Sequence, residues 1–173
     1  GLVTELAKEA NYVVVLIDYP LAPENPYPAP LDACMESFLE FHKVAREIGV
    51  DPERIAIAGD SAGGNLAAAL TLKLFSQPDL PKPKLQILIY PMLQAYDFDT
   101  PSFRTFKDGS CPRNAIATGY INYLFGEKAL PHLPYLIPAM IDKRHLKQEK
   151  LKKTSENVDY YKMLPAELYT GHG

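Results

Sequence analysis

Ile55-Ala56-Ile57-Ala58-Gly59-Asp60-Ser61-Ala62-Gly63-Gly64-Asn65-Leu66-Ala67 runs from a short apolar stretch, through a glycine-flanked serine, into an alanine-rich helical stretch that continues to Phe75. A Gly-x-Ser-x-Gly nucleophile elbow requires that setting: the serine sits on a tight strand-to-helix turn, its hydroxyl held beyond the strand end. Such a turn predicts almost no space for side chains two residues before and two after the serine, the places of Gly59 and Gly63. Gly64 lets the helix start close to its neighbours. Ser61 is therefore the candidate nucleophile. The amide of Ala62, at the helix N-terminus, is the candidate oxyanion donor. Asp60 reads as a structural member of the turn, with its side chain directed away from the serine. The bland alternative is an ordinary glycine-rich turn; the strand before and the helix after favour the elbow.

Outward from the elbow, the chain alternates strands and helices. Leu2 to Ala10 reads as a helix with an apolar side, and Asn11 suits a left-handed stop. Val13-Val14-Val15-Leu16-Ile17 is a continuous apolar run, predicted as a strand buried on both faces. The prolines from Pro20 to Pro30 forbid helix and central strand alike. Leu31 to Ile48 keeps helical spacing in Leu31, Cys34, Phe38, Phe41, Ala45 and Ile48, and Gly49 supplies the stop. Asp51 to Arg54 turns into the strand before the elbow, Pro78 to Pro83 is a loop, and Leu85 to Tyr90 is a third strand. This is a parallel α/β arrangement. Beyond Pro91 the spacing predicts one helix over Cys111 to Gly126, a proline-broken stretch over Leu130 to Ile141, and a basic helical stretch, Lys143 to Lys153, read as a solvated face.

The bulk numbers narrow the function classes. A net charge of −3 over 173 residues, with acids and bases mixed, gives no pull toward nucleic acid. Cys34 and Cys111 are too few for a disulfide framework and lack metal-ligand spacing, and no cofactor is called for. Whether they pair is left open. No apolar run approaches the roughly 20 residues that span a bilayer. The chain opens at Gly1 with a helix already under way and closes on Leu168-Tyr169-Thr170-Gly171-His172-Gly173 without a closing element, as expected of a piece of a longer protein.

Three segments together resemble the hormone-sensitive-lipase-like branch of the α/β-hydrolases, and within it arylacetamide deacetylase and neutral cholesterol ester hydrolase. They are Asp18-Tyr19-Pro20-Leu21-Ala22-Pro23-Glu24 with the proline run after it, Gly59-Asp60-Ser61-Ala62-Gly63-Gly64-Asn65-Leu66-Ala67, and Tyr90-Pro91 with its continuation to Ser102. Pro20 and Asn25 depart from the family's usual arginine and histidine. The resemblance implies an incomplete α/β-hydrolase core over residues 1–91, carrying the elbow, and a mainly helical cap-like region over 92–173. It implies carboxylesterase or lipase chemistry on apolar esters or aryl amides through an acyl-enzyme at Ser61. It also implies an endoplasmic reticulum location on the lumenal side, with membrane association only through a segment not in this sequence.

In that fold the order along the chain is serine, then acid, then histidine. His42 precedes the serine and reads as structural. His132 lies in a proline-broken loop and His145 in the basic run. His172 has the right order behind Asp142 and Asp159, but neither acid follows a readable strand. The triad acid and base, and the family's glycine-rich oxyanion loop, are expected outside this sequence, so the chain is expected to be inactive alone. The resemblance also places another strand between Val13–Ile17 and Ile55–Ala58. Its absence predicts a slot in the sheet. Two other readings stay open: a non-catalytic small-ligand-binding member of the same fold, and a truncated product without function. Tyr19 and Tyr27 read as packing residues that could also line a pocket, and Asp18 and Glu24 as loop anchors.

Overall fold

The computed structural model describes residues 2–95, 98–105, 109, 111–124, 135, 137 and 138. Among the described residues, five α-helices and two strands follow one another: α1 (Leu2–Glu9), α2 (Ala29–Val44), β1 (Ala56–Asp60), α3 (Ser61–Phe75), β2 (Leu85–Ile89), α4 (Pro101–Thr105) and α5 (Arg113–Tyr123). β1 and β2 pair in parallel, from Ala56 opposite Leu85 to Asp60 opposite Ile89. Parallel neighbours need a crossover, and α3 supplies it.

The core lies between α2 and α3, where Leu31, Cys34, Met35 and Phe38 meet Leu66, Ala69, Leu70 and Leu74, with Ile55 joining from the entry to β1. Helix α3 is buried almost all round, as its alanine-rich composition allows. Thr71, one of its few polar residues, returns its hydroxyl to the Ala67 carbonyl at 2.8 Å. Lys73 reaches from α3 to Asp32 on α2 at 2.6 Å. Gly49 ends the 3-10 turn that follows α2 with a φ of 77°, as the glycine stop requires. Asp51 caps the turn before β1 by accepting from the Glu53 amide at 3.0 Å.

The amino-terminal part departs from expectation. Helix α1 forms and Asn11 takes the left-handed conformation, at φ 53°. Val13, Val14, Val15 and Leu16, however, are 37–78% exposed, and residues 12–17 form no strand. The expected burial on both faces is therefore overturned. A strand exists only through a neighbour, and among the described residues none lies beside this run. Only Ile17 packs against the core cluster. The α2 expectation holds in outline, except that Ile48 lies exposed beyond the helix end. Helix α4 lies outside the expected elements, although Thr100 before Pro101 is the start signal that a helix beginning at Pro101 uses. Helix α5 is shorter than expected, starting after Pro112, and Gly126 lies outside the described residues, as do His132, His145, His172, Asp142, Asp159 and the basic stretch. Among the described residues no helix is long and apolar enough to cross a membrane.

Candidate active site

Strand β1 ends at Asp60 with extended backbone, φ −110° and ψ 148°, and α3 begins on the next residue. Ser61 itself has φ 51°. A non-glycine residue held there costs about 1–3 kcal/mol and persists only where its surroundings over-determine it. Those surroundings are visible. A Cβ on Gly59 would sit 2.2 Å from the Gly63 carbonyl oxygen, and one on Gly64 would sit 2.8 Å from Pro91 Cβ. Both glycines are therefore obligatory. Gly63 differs from expectation: the nearest atom to a Cβ there is Asp60 Oδ1 at 4.0 Å. The tightness two residues after the serine comes from the Gly63 carbonyl pressing on Gly59, not from a lack of space for a side chain.

The far side of the turn is held by the segment leaving β2. Tyr90 is a second strained residue, with φ 36° and a 70% exposed side chain, so β2 stops one residue short of its expected end. Its hydroxyl donates to Asp60 Oδ2 at 3.3 Å, which engages the Asp60 carboxylate with β2's exit. The Met92 amide donates to the Ser61 carbonyl at 3.1 Å. The Met92 carbonyl accepts twice, from Asn65 Nδ2 at 2.6 Å and from the Tyr120 hydroxyl at 2.8 Å. Burial pushes the Tyr120 hydroxyl up to about 12, against a hydrogen bond with Asn65. Neither Asn65 nor Tyr120 was singled out beforehand as a polar partner. The available signal was an amide on a helix otherwise apolar all round, because a buried polar group needs a partner.

Beside Ala62 opens an apolar cavity of about 290 Å³, walled by Tyr19, Leu21, Leu66, Met92, Ile116 and Tyr120 among others. Tyr19 thus faces the cavity. Tyr27 does not line it: its ring meets Tyr123 edge-on at 5.8 Å. His42, on α2, stacks obliquely on Phe38 at 6.4 Å and does not line the cavity. The carboxylates of Asp18 and Glu24 show no anchoring bond among the described residues. No group of three or more metal-ligating side chains occurs among the described residues. Cys34 is buried and Cys111 is exposed on the cavity rim, both as free thiols. The arrangement offers one half-buried serine on strained backbone, a helix N-terminus that begins with it and an apolar recess next to it.

Such a strand–serine–helix turn, with a recess at the carboxyl end of parallel strands, defines a class, and the chain belongs to it: residues 1–156 match the alpha/beta hydrolase fold family. The human protein arylacetamide deacetylase-like 3 is 41% identical over 108 residues, which are 62% of this chain and 26% of that one. Rat neutral cholesterol ester hydrolase 1 is 35% identical over 173 residues, 96% of this chain and 41% of that one. Carboxyl esterase 2 of the fungus Tuber melanosporum superposes with a TM-score of 0.75 at 27% identity, over 84% of this chain and 47% of that one. A hyperthermophilic esterase from Pyrobaculum calidifontis gives 0.75 at 30%, over 82% and 47%. The chain spans less than half the length of each.

Proposed function

We propose that this chain carries the nucleophile-bearing part of a serine carboxylesterase acting on apolar acyl esters or aryl amides. Ser61 gives its hydroxyl proton to a base and attacks the acyl carbonyl, and the Ala62 amide donates to the developing oxyanion. The alcohol or amine leaves with that proton, and water then hydrolyses the acyl-enzyme to the free acid and restores Ser61. The observation that carries this reading is the left-handed Ser61 between β1 and α3, next in sequence to Ala62, which lines an apolar recess. Strain at a non-glycine residue is retained where function uses it. The recess suits the acyl group, since its walls offer few free polar atoms. Residues 92–173 act as a cap in this reading: Ile116 and Tyr120 of α5 already contribute to the wall.

A hydroxyl needs an imidazole to become a nucleophile and an acid to hold that imidazole. The one histidine among the described residues stacks on Phe38, so this reading draws base and acid from outside the described residues. Loss of the base alone costs about six powers of ten in kcat in a triad of this logic. The test is a fluorophosphonate probe on full-length protein carrying this chain. Labelling that disappears in Ser61→Ala supports the esterase. Folded, soluble protein that takes no label supports a ligand-binding role for the same recess.

A further inference from the structure

The Ser61 carbonyl and the Ala62 N–H belong to one peptide group, and in a trans peptide the two point in opposite directions. Whatever holds the carbonyl therefore aims the amide. From outside α3, the Met92 N–H grips that carbonyl, 3.1 Å from the Ser61 oxygen. Met92 is held in turn through its own carbonyl, on which Asn65 and Tyr120 converge at 2.6 and 2.8 Å. Both side chains are nearly enclosed, Asn65 at 4% and Tyr120 at 6% exposure. Pro91, the residue before Met92, is wedged against Gly64, where even a methyl would come within 2.8 Å. The segment is thus gripped on both sides of the Met92 amide.

We propose that Asn65 and Tyr120 are positioning residues for the oxyanion donor. Their shared bond to the Met92 carbonyl fixes the Met92 N–H, which orients the Ser61–Ala62 peptide so that the Ala62 amide points at the site of the developing charge. Tyr120 lies on α5 and Asn65 on α3, so the device also ties the cap-like region to the elbow. The inference rests on the reading of Ser61 as nucleophile and adds to it a route by which a helix remote in sequence acts on the transition state. An oxyanion donor matters only as charge develops, so a poorly aimed amide lowers kcat and leaves ground-state binding in place.

The test compares Tyr120→Phe and Asn65→Ala in full-length protein carrying this chain, with p-nitrophenyl butyrate as substrate. Tyr135→Phe is the control, since it removes another hydroxyl bond, to Ser76 Oγ at 3.1 Å, at the opposite end of α3. Each site variant is expected to lower kcat about tenfold with KM changed less than about twofold, below the roughly 10²–10³ of losing a donor outright. Tyr135→Phe should alter neither constant. Hydrogen exchange at the Met92 amide should quicken about tenfold in the site variants only, the factor expected for one lost bond of about 1.4 kcal/mol. Equal kinetics in site and control variants, or a loss confined to KM, would overturn the proposal. Wild-type protein without Ser61 labelling would sink the nucleophile reading instead. The Met92 exchange rates then still decide whether the contact holds the peptide, and unchanged rates would overturn that too.

Discussion

The elbow and the apolar run at residues 12–17 are both written in strand-like sequence, yet only one is built into the molecule. Around Ser61, β1 pairs with β2, α3 lies across both, and backbone atoms approach so closely that Gly59 and Gly64 admit nothing larger. Residues 13–16 are more apolar than β1, and they stand in solvent. The elbow's determinants are local: a turn, two glycines and a helix that follows at once. A strand's determinants lie in its neighbour. Hydrophobic sequence makes a segment eligible for a sheet, and only a paired edge places it there.

Matched truncations sharpen this contrast most. Leu70→Ala, in the fully enclosed core of α3, is expected to cost about 2–5 kcal/mol in urea unfolding, whereas Leu16→Ala should stay within about 0.5 kcal/mol. A comparable loss at Leu16 would mean that the run is packed after all, and would break the contrast. Next come the two glycines flanking Ser61. Gly59→Ala drives a methyl into the Gly63 carbonyl and should cost about 1–3 kcal/mol along with the Ser61 labelling. Gly63→Ala has room and a helical site, so its folding free energy should hold or rise by up to about 1 kcal/mol. Equal losses would show the turn to be tight in both directions.

A pH titration probes the same core more gently. Burial pushes the Cys34 thiol from 9.0 up to about 11. The folded state thus keeps a proton that the unfolded chain releases first. Its stability is unaffected below pH 9 and declines as pH rises from 9 toward 11. Cys34→Val should flatten that decline in the urea midpoint, and alkylation at pH 8 should reach Cys111 well before Cys34. The smallest effect is expected at Tyr123. Its buried hydroxyl has no hydrogen-bond partner among the described residues, so Tyr123→Phe should leave stability unchanged or raise it by up to about 1 kcal/mol.

Much of the elbow was legible because its chemistry is short-range: the strand, one residue off at its start and two at its end, the glycines, and the alanine-rich helix all appear between Ile55 and Phe75. The Gly49 stop and the left-handed Asn11 were legible for the same reason. The expectation of a strand at 13–17 fails because a continuous apolar run reports burial that a segment could have, not the partner that would give it. Contacts made across the fold left weaker traces. Asn65 and Tyr120 meet on Met92 from 27 and 28 residues away, and no local pattern announces a carbonyl that accepts twice. The strained Tyr90 was likewise hidden at the end of an ordinary-looking strand.

The central claim is that the strained turn presents Ser61 for acyl chemistry. It is tested most directly by peptide mapping of full-length protein treated with a fluorophosphonate. The account predicts a single adduct on the tryptic peptide containing Ser61, absent after heat unfolding and absent in Ser61→Ala. An adduct on any other residue, or none on folded protein that binds apolar esters in the recess, would contradict it.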